Sequence, residues 1–175
     1  MQAIMDVFGA IGAFMEQGGF LMPWIAALTF VMWTLAFERF WYFKGALKGD
    51  VQRSLDAWEA RKERNSWSSR QIRTAYISRM SSKINQNMDV IATLIAICPL
   101  TGLLGTVTGM IEVFSVLAAT GGGDAKQMAG GVSKATIPTM AGMVAALSGL
   151  FVNTYLSRIA ERENQLFADH LTMDH

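Results

Sequence analysis

The sequence predicts an all-α membrane protein with three transmembrane helices and with helices that extend into the cytoplasm. Hydrophobic residues make up 51% of the 175 residues. Charged residues make up only 17%, whereas soluble domains carry about 25%. The charges are also clustered, so that three long neutral stretches remain, and no strand-like alternation is visible. We therefore expect the neutral stretches to be membrane spans.

The N-terminal segment, residues 1–18, is predicted to form a short amphipathic helix on the membrane surface. It holds no Lys or Arg, which argues against a secretory signal peptide. Its large apolar residues recur at helical spacing; they are Ile4, Met5, Phe8, Ile11, Phe14 and Met15. A frayed tail is the alternative that this spacing leaves open.

The first transmembrane helix is predicted at residues 19–37, which carry no charge. Pro23 falls in its first turns, where a missing backbone donor costs little. An aromatic cluster at residues 40–43 follows the span, flanked by Arg39 and Lys44. Aromatic and basic residues together are typical of a membrane–water interface.

The second transmembrane helix is predicted at residues 88–118. Its neutral part, residues 90–111, is 22 residues long, and a helix of that length crosses a hydrocarbon core of about 30 Å. Glycines and threonines occupy the middle of this stretch, where a simple anchor would carry Leu, Ile and Phe. Small residues allow helix backbones to approach closely, so we expect this helix inside a membrane assembly. The third transmembrane helix is predicted at residues 132–157.

The distribution of basic residues predicts the topology. The polar segment 38–87 holds eleven of the fifteen Lys and Arg residues against five acids, and an excess of Lys and Arg marks the cytoplasmic side. Residues 1–18 and the glycine-rich loop 119–131 should then face the periplasm, and the tail 158–175 should return to the cytoplasm. We expect two helices within segment 38–87, the second of them continuous with the second span.

Two threonines are candidate functional residues within the spans. Thr106 shares a helical face with Gly102 and Gly109, and Thr139 shares one with Gly142. A hydroxyl in the membrane interior needs a hydrogen-bond partner. From the residues alone, the simplest expectation is that each hydroxyl donates to a carbonyl of its own helix. A place in a polar path is the alternative.

Two prolines and three polar residues are further candidates. Pro99 and Pro138 lie within or near the spans, where each is either a tolerated kink or a hinge. Lys134 stands at the entrance of the third span and Glu112 just beyond the neutral stretch, so we expect both at the interface. A charge that faces a pore or a partner is the alternative. Asn153 is costly to bury and should face protein or water.

The sequence offers no signal for catalysis. It lacks the phosphate-binding, zinc-protease and paired-cysteine motifs, and no nucleophile stands with a base. Cys98 is the only cysteine and lies in a span, so no intramolecular disulfide is possible. We therefore expect no enzyme activity, no cofactor and no metal site. A net charge of +1 gives no reason to expect nucleic-acid binding.

Two segments resemble a known family. They are IATLIAICPLTGLLGTVTGMIEVF and, after a short loop, GGVSKATIPTMAGMVAALSGLFVNTYL. They resemble the ExbB/TolQ/MotA proton-channel family over roughly residues 70–165, and most of all the short ExbB-type subunits of TonB systems. The resemblance implies a pentameric channel in the bacterial inner membrane. Its second and third spans would line a pore around the single-span helices of an ExbD-like partner.

The resemblance also implies a function and residue roles. The channel would use the proton motive force to energise TonB, which drives transport of iron–siderophore and cobalamin-type cargo across the outer membrane. Thr106 and Thr139 match pore-facing threonines of the family. Close packing and pore shape would fall to Pro99, Gly102, Gly105, Gly109, Pro138 and Gly142. The basic segment 38–87 is expected to contact anionic lipid headgroups and the partner's cytoplasmic tail.

One position departs from the family pattern. Family members commonly carry a glutamate near the start of the third span, where this sequence has Lys134. Lys134 could snorkel away, pair with an acid of a partner, or be irrelevant because the proton route needs no carboxylate there. We also consider an ion pair between Lys134 and Glu112 near the periplasmic mouth.

Three alternatives to an ExbB-type subunit remain open. Two lie within the family: a TolQ-like subunit that supports envelope integrity and a MotA-like flagellar stator, for which segment 38–87 looks too small. The third is a membrane scaffold that assembles a complex without conducting.

Overall fold

The computed structural model describes residues 2–60, 67–121 and 125–171, and the elements it describes are all helices. A single 3₁₀ turn, Gly19–Leu21, joins the first two α-helices. The α-helices are α1 (Gln2–Gln17), α2 (Met22–Lys44), α3 (Ala46–Glu59), α4 (Trp67–Ile84), α5 (Met88–Thr120) and α6 (Ala125–His170). The predicted all-α fold class is confirmed.

Three helical stretches are long and apolar enough to cross a bilayer. They lie within Gly19–Lys44, Trp67–Ala119 and Met128–His170, of which the second contains both α4 and α5, and their most apolar windows have mean hydropathies of 1.8, 2.2 and 1.6. Helices satisfy their own backbone hydrogen bonds, which is what a hydrocarbon environment demands. The chain is therefore a multi-pass helical membrane protein, as the three neutral stretches predict.

The N-terminal segment is helical up to a glycine pair. The backbone N–H of Gly18 donates to the Phe14 carbonyl over 3.1 Å and closes the last turn of α1. Gly19 then adopts φ +68°, a left-handed conformation that costs glycine nothing because it has no Cβ. The chain can thus turn from α1 into α2 within one 3₁₀ turn. The location of α1 on the membrane surface stays a prediction.

The expectation of one continuous helix from the cytoplasmic segment into the second span is wrong. Helix α4 ends at Ile84 and α5 begins at Met88. Between them Asn87 has φ +64°, and the Met88 N–H donates to the Asn85 carbonyl over 3.1 Å. Asparagine tolerates the left-handed conformation better than other residues with a Cβ, so two asparagines within three residues form a turn.

Helix α6 begins earlier and ends later than the predicted third span. It starts at Ala125, inside the predicted loop 119–131, and continues through most of the predicted tail 158–175. Residues 122–124 of the loop lie outside the described residues. Good helix formers at the start of α6 explain the early beginning. The connection between α5 and α6 is therefore shorter than the sequence suggests.

The chain divides into two compact units, which differ in what fills them. Unit 1 comprises Met1–Trp33 and Thr93–Leu150, and unit 2 comprises Thr34–Ala92 and Phe151–His175. One buried cluster of unit 1 consists of small side chains, namely Cys98, Ala145 and Ala146, although large side chains such as Ile25 and Met32 are also buried in this unit. Large side chains fill the main core of unit 2, and these include Trp58, Ile84, Phe167 and Leu171.

A buried arginine stabilises unit 2. Arg39 is only 3% exposed. Its guanidinium donates to the Lys83 carbonyl over 3.1 Å and to both carboxylate oxygens of Glu38 over 2.9 and 3.1 Å. The Lys83 carbonyl belongs to the last turn of α4, where carbonyls lack helical partners. Arg39 thus caps α4, a role that sequence reasoning missed because it counted Arg39 only as a charge at the membrane interface and in the topology.

Candidate functional site

Helices α5 and α6 of unit 1 pack backbone against backbone. A Cβ added to Gly142 would lie 2.5 Å from the Cys98 carbonyl oxygen, and one added to Gly102 would lie 2.8 Å from the Thr139 Cα. A Cβ on Gly109 would overlap Ala135. Such contacts leave no room for any side chain larger than hydrogen. The small residues of the two spans therefore form one continuous helix–helix seam.

The spacing of the small residues produces this seam. On α5 the contacting positions are Cys98, Gly102, Gly105 and Gly109, and steps of four, three and four residues keep them on one helical face. The contacts run in opposite order along the two chains: Gly102 meets Thr139, and Gly109 meets Ala135. The two helices are therefore antiparallel.

The two predicted threonines make different hydrogen bonds. Thr106 donates its hydroxyl to the Leu103 carbonyl of its own helix over 2.8 Å, as expected from the residues alone. Thr139 donates instead to the Gly102 carbonyl of α5 over 2.7 Å, so the expectation of a bond within its own helix is wrong for Thr139. The glycine at position 102 explains the difference, because it lets the α6 backbone come within reach of that carbonyl. Both hydroxyl oxygens keep lone pairs that can accept a hydrogen bond.

Thr106 and Thr139 lie on the same side of the helix pair. At about 100° per residue, each is rotated by about 70° from the centre of its own contact face, in the same sense. Because the helices are antiparallel, the same sense of rotation leads to the same side of the pair. The two side chains are both partly buried. We call this side, with Thr106 and Thr139, the threonine flank.

The prolines occupy different environments along the seam. Pro138 is fully buried in α6, and a Cβ on Gly105 would lie 2.6 Å from the Pro138 Cβ. Gly105 therefore makes the space that Pro138 occupies. Pro99 is partly buried, and α5 continues through it from Met88 to Thr120. The choice between kink and hinge stays open for both.

Glu112 and Lys134 lie on the opposite flank and line one cavity. This cavity has a volume of about 600 Å³ and is closed on one side by the 3₁₀ turn Gly19–Leu21. No ion pair joins Glu112 to Lys134 among the described residues, whose ion pairs all lie in unit 2. The direct pairing that we considered is therefore absent from this structure, although both side chains reach the same space.

Two further sequence expectations concern polar groups. The Asn153 amide oxygen of unit 2 is buried and accepts no hydrogen bond from the groups that the structure describes. Asn153 thus faces protein, as expected, but its oxygen lacks the partner that such burial calls for. In the described parts of the chain, no cluster of His, Cys, Asp and Glu has a metal-binding arrangement.

Sequence reasoning missed the cavity and the residues that close it. The signal for the turn was present in the pair Gly18–Gly19, because adjacent glycines mark turns. No sequence signal brings this turn against α5, since that contact joins residues more than eighty positions apart. Thr108 also lines the cavity. The sequence shows it only as one of several threonines in the second span and gives no reason to assign it a role.

The structure has three apolar helices, and two of them pack along a glycine seam beside hydroxyl groups within the spans. These features define a multi-pass helical membrane protein whose helices pack closely. A family comparison narrows this class. The chain belongs to the MotA/TolQ/ExbB proton channel family, whose sequence model matches residues 43–169. The resemblance stated from the sequence is thereby confirmed.

Individual relatives are similar over about half of this chain. A biopolymer transport protein of Synechocystis, described as ExbB-like 1, is 39% identical over 90 residues, covering 50% of this chain and 35% of its own length. The biopolymer transport protein ExbB of Xanthomonas campestris is 33% identical over 96 residues, covering 55% and 38%. That of Helicobacter pylori is 29% identical over 91 residues, covering 52% and 63%. The matches thus span little more than a third of the first two relatives.

Proposed function

We propose that this protein is an ExbB-type proton-channel subunit of the bacterial inner membrane. It assembles as a homopentamer around the single-span helices of an ExbD-like partner and uses the proton motive force to energise TonB. Family membership and relatives named as biopolymer transport proteins support the proposal. The transported cargo would be of the iron–siderophore or cobalamin type.

The observation that carries the proposal is the threonine flank. Thr106 and Thr139 share one side of a helix pair that the glycine seam holds in fixed register. Both donate to backbone carbonyls, so that each oxygen is left to accept a hydrogen bond from water or from a protonated carboxyl group. Neither helix supplies a carboxylate on this flank within the spans, and the proton carrier would therefore belong to the partner.

The position of Lys134 fits this proton route. It lines the cavity on the side opposite the threonine flank, so its ammonium group does not stand in the path of a proton that passes Thr106 and Thr139. Among the explanations for this departure from the family pattern, the geometry favours a route that needs no carboxylate at position 134.

The experiment replaces the two hydroxyls and keeps the side-chain shape. In a strain that depends on this protein for TonB-dependent uptake, the double variant Thr106→Val, Thr139→Val should reduce uptake by about tenfold or more, as expected when roughly 1.4 kcal/mol of hydrogen bonding is lost at a barrier. A second double variant, Thr106→Ser with Thr139→Ser, keeps both hydroxyls and should retain most of the uptake of the unmodified protein.

Thr101→Val is the matched control. Thr101 lies on the same helix and donates to the Ile97 carbonyl over 3.0 Å, but its helical angle places it away from the threonine flank. Uptake should change little in this variant. Native mass spectrometry of each variant with its partner checks assembly, because Thr139→Val also loses a bond between helices. A double variant that assembles and still supports full uptake would refute the proton path and favour the scaffold alternative.

A further inference from the structure

The cavity on the flank opposite the threonines combines an apolar lining with one charge of each sign. Its volume of about 600 Å³ lies within the range of about 300–1,000 Å³ that small-molecule sites occupy. Phe20, Leu104, Val113 and Val116 are among the apolar residues of its lining. Among the described residues that line it, only Glu112 and Lys134 carry a formal charge.

The two charges lie at the same level of the helix pair. A Cβ on Gly109 would overlap Ala135, and a Cβ on Gly131 would overlap Val113. These two contacts bracket Glu112 on α5 and Lys134 on α6. Each charge also stands at the end of a neutral stretch, and such an end marks the boundary between hydrocarbon and headgroups.

The cavity continues from this level towards the hydrocarbon. Its lining reaches Leu104, two helical turns or about 12 Å from Glu112 along α5. The turn at Gly19 closes the cavity beside Lys134, since a Cβ on Gly19 would lie 3.6 Å from the Lys134 Cε. A polar end at the membrane boundary with an apolar extension below it matches the shape of a lipid headgroup with the first part of an acyl chain.

We propose that this cavity binds a phospholipid whose headgroup carries both a phosphate and a primary ammonium group. The Lys134 ammonium contacts the phosphate, and the Glu112 carboxylate accepts hydrogen bonds from the headgroup ammonium. The acyl chain follows the apolar lining towards Leu104. An anionic headgroup without an ammonium satisfies Lys134 but repels Glu112, so charge complementarity selects the zwitterionic lipid.

This inference requires only that the chain lies in a membrane and does not depend on proton conduction. The lipid site and the threonine flank are on opposite sides of the α5–α6 pair, so the two proposals fail separately. The double variant Thr106→Val, Thr139→Val should leave lipid selectivity unchanged.

Native mass spectrometry of the delipidated protein tests the proposal. The protein is titrated with phosphatidylethanolamine and with phosphatidylglycerol of identical acyl chains. We expect tighter binding of phosphatidylethanolamine, by about fivefold for one favourable charge contact. Glu112→Gln should abolish this preference, because it weakens phosphatidylethanolamine and removes the repulsion of phosphatidylglycerol. Lys134→Gln should weaken both lipids.

Glu16→Gln is the matched control for the carboxylate. Glu16 lines a second, smaller cavity of about 470 Å³ that also contains Lys134, so its carboxylate tests whether any acid near Lys134 is sufficient. We expect this variant to keep the lipid preference of the unmodified protein. If Glu16→Gln abolishes the preference and Glu112→Gln does not, the assignment to the larger cavity is wrong.

A measurement on the unmodified protein avoids any effect of substitution on folding. Phosphatidylcholine has the same charges but a trimethylated ammonium that donates no N–H hydrogen bond, so it should bind about fivefold more weakly than phosphatidylethanolamine. Equal binding of all three lipids would overturn the proposal, and so would a preference for phosphatidylglycerol. Equal binding would point instead to a neighbouring subunit that fills the cavity.

Discussion

Each of the two units is stabilised internally, but by a different kind of packing. In unit 1, helices α5 and α6 meet where side chains are missing, along a seam of glycines with backbone contacts at Gly102 and Gly142. In unit 2, large side chains such as Trp58 and Phe167 fill a core, and Arg39 adds a buried polar contact. The difference shows which kind of substitution each unit tolerates: unit 1 should be damaged by added atoms and unit 2 by removed ones.

We expect this difference to follow from the surroundings of each unit, with unit 1 among lipid chains and the large-residue core of unit 2 on the water side, as the predicted topology implies. Lipid chains are as apolar as leucine, so burial of large apolar side chains drives little association between membrane helices, and close packing of small residues replaces it. In a unit that is surrounded by water, by contrast, every apolar group that folding removes from water stabilises the folded state. The small residues of unit 1 and the aromatic core of unit 2 are what these two environments favour.

Removal of the largest buried side chain of unit 2 should have the largest effect. Trp58 is 2% exposed and lies edge-on to the Tyr76 ring with centroids 6.5 Å apart. We expect Trp58→Ala to lower the free energy of unfolding by about 3–5 kcal/mol, because it leaves a cavity in the core. Thermal denaturation in detergent, followed by circular dichroism, measures this loss.

Trp67→Ala is the control for this prediction. Trp67 is 76% exposed, so its removal should change stability by no more than about 0.5 kcal/mol. Equal destabilisation by Trp58→Ala and Trp67→Ala would mean that unit 2 does not depend on its aromatic core, and the contrast between the units would fail.

Addition of a single methyl group to the seam of unit 1 should have the next largest effect. The new Cβ in Gly142→Ala meets the Cys98 carbonyl oxygen at 2.5 Å, and a backbone atom cannot move aside as a side chain does. We expect a loss of about 1–3 kcal/mol from overpacking, together with weaker retention of the assembled complex in native mass spectrometry.

Gly130→Ala adds the same methyl group to the same helix without a clash. A Cβ there has nothing within 4 Å, so alanine should be neutral or should stabilise α6 by up to about 1 kcal/mol through its higher helix propensity. The comparison separates the effect of contact from that of residue type. It breaks down if both alanine variants destabilise the protein to the same extent.

The sequence predicts those features that depend on local pattern. Neutral stretches predict the spans, and the spacing of glycines along α5 predicts a packed helical face, because both signals lie within one helix. The partner of the Thr139 hydroxyl escapes such prediction, since it depends on how closely Gly102 lets α6 approach. The burial of Arg39 also escapes, because its carbonyl partner at Lys83 lies 44 residues away.

Other features are permitted by the sequence without being required by it. Asparagine at position 87 tolerates the φ of +64° that separates α4 from α5, but asparagine also occurs within helices, and helical periodicity continues on both sides. The cavity of unit 1 requires the turn after Gly18 to lie against α5. Local pattern carries no information about that contact, so the sequence does not predict that Glu112 and Lys134 line a shared cavity.

The smallest expected effect concerns the surface charges of unit 2 and separates their contribution from that of the core. Asp50 contacts Arg53 over 2.6 Å and Lys83 over 3.4 Å, and it accepts a hydrogen bond from the Tyr42 hydroxyl. Partial burial alone would raise the pKa of the Asp50 carboxyl, but the hydrogen bonds from Lys83 and Tyr42 and the nearby positive charges lower it below its ordinary value.

A lowered folded-state pKa means that Asp50 stabilises unit 2 when ionised. This stabilisation is fully present above the unfolded-state pKa of about 4 and is lost as the pH falls through the lower folded-state value.

Because Arg53 and Lys83 are largely exposed, we expect Asp50→Asn to cost less than about 1 kcal/mol at neutral pH. The cost should decrease as the pH is lowered below about 4. Asp56→Asn on the same helix, which removes an exposed carboxylate that accepts a hydrogen bond from Gln52, is the matched control. If the cost of Asp50→Asn is the same at pH 3 as at pH 7, the ionised carboxylate is not its source, and the stability of unit 2 rests on its core alone.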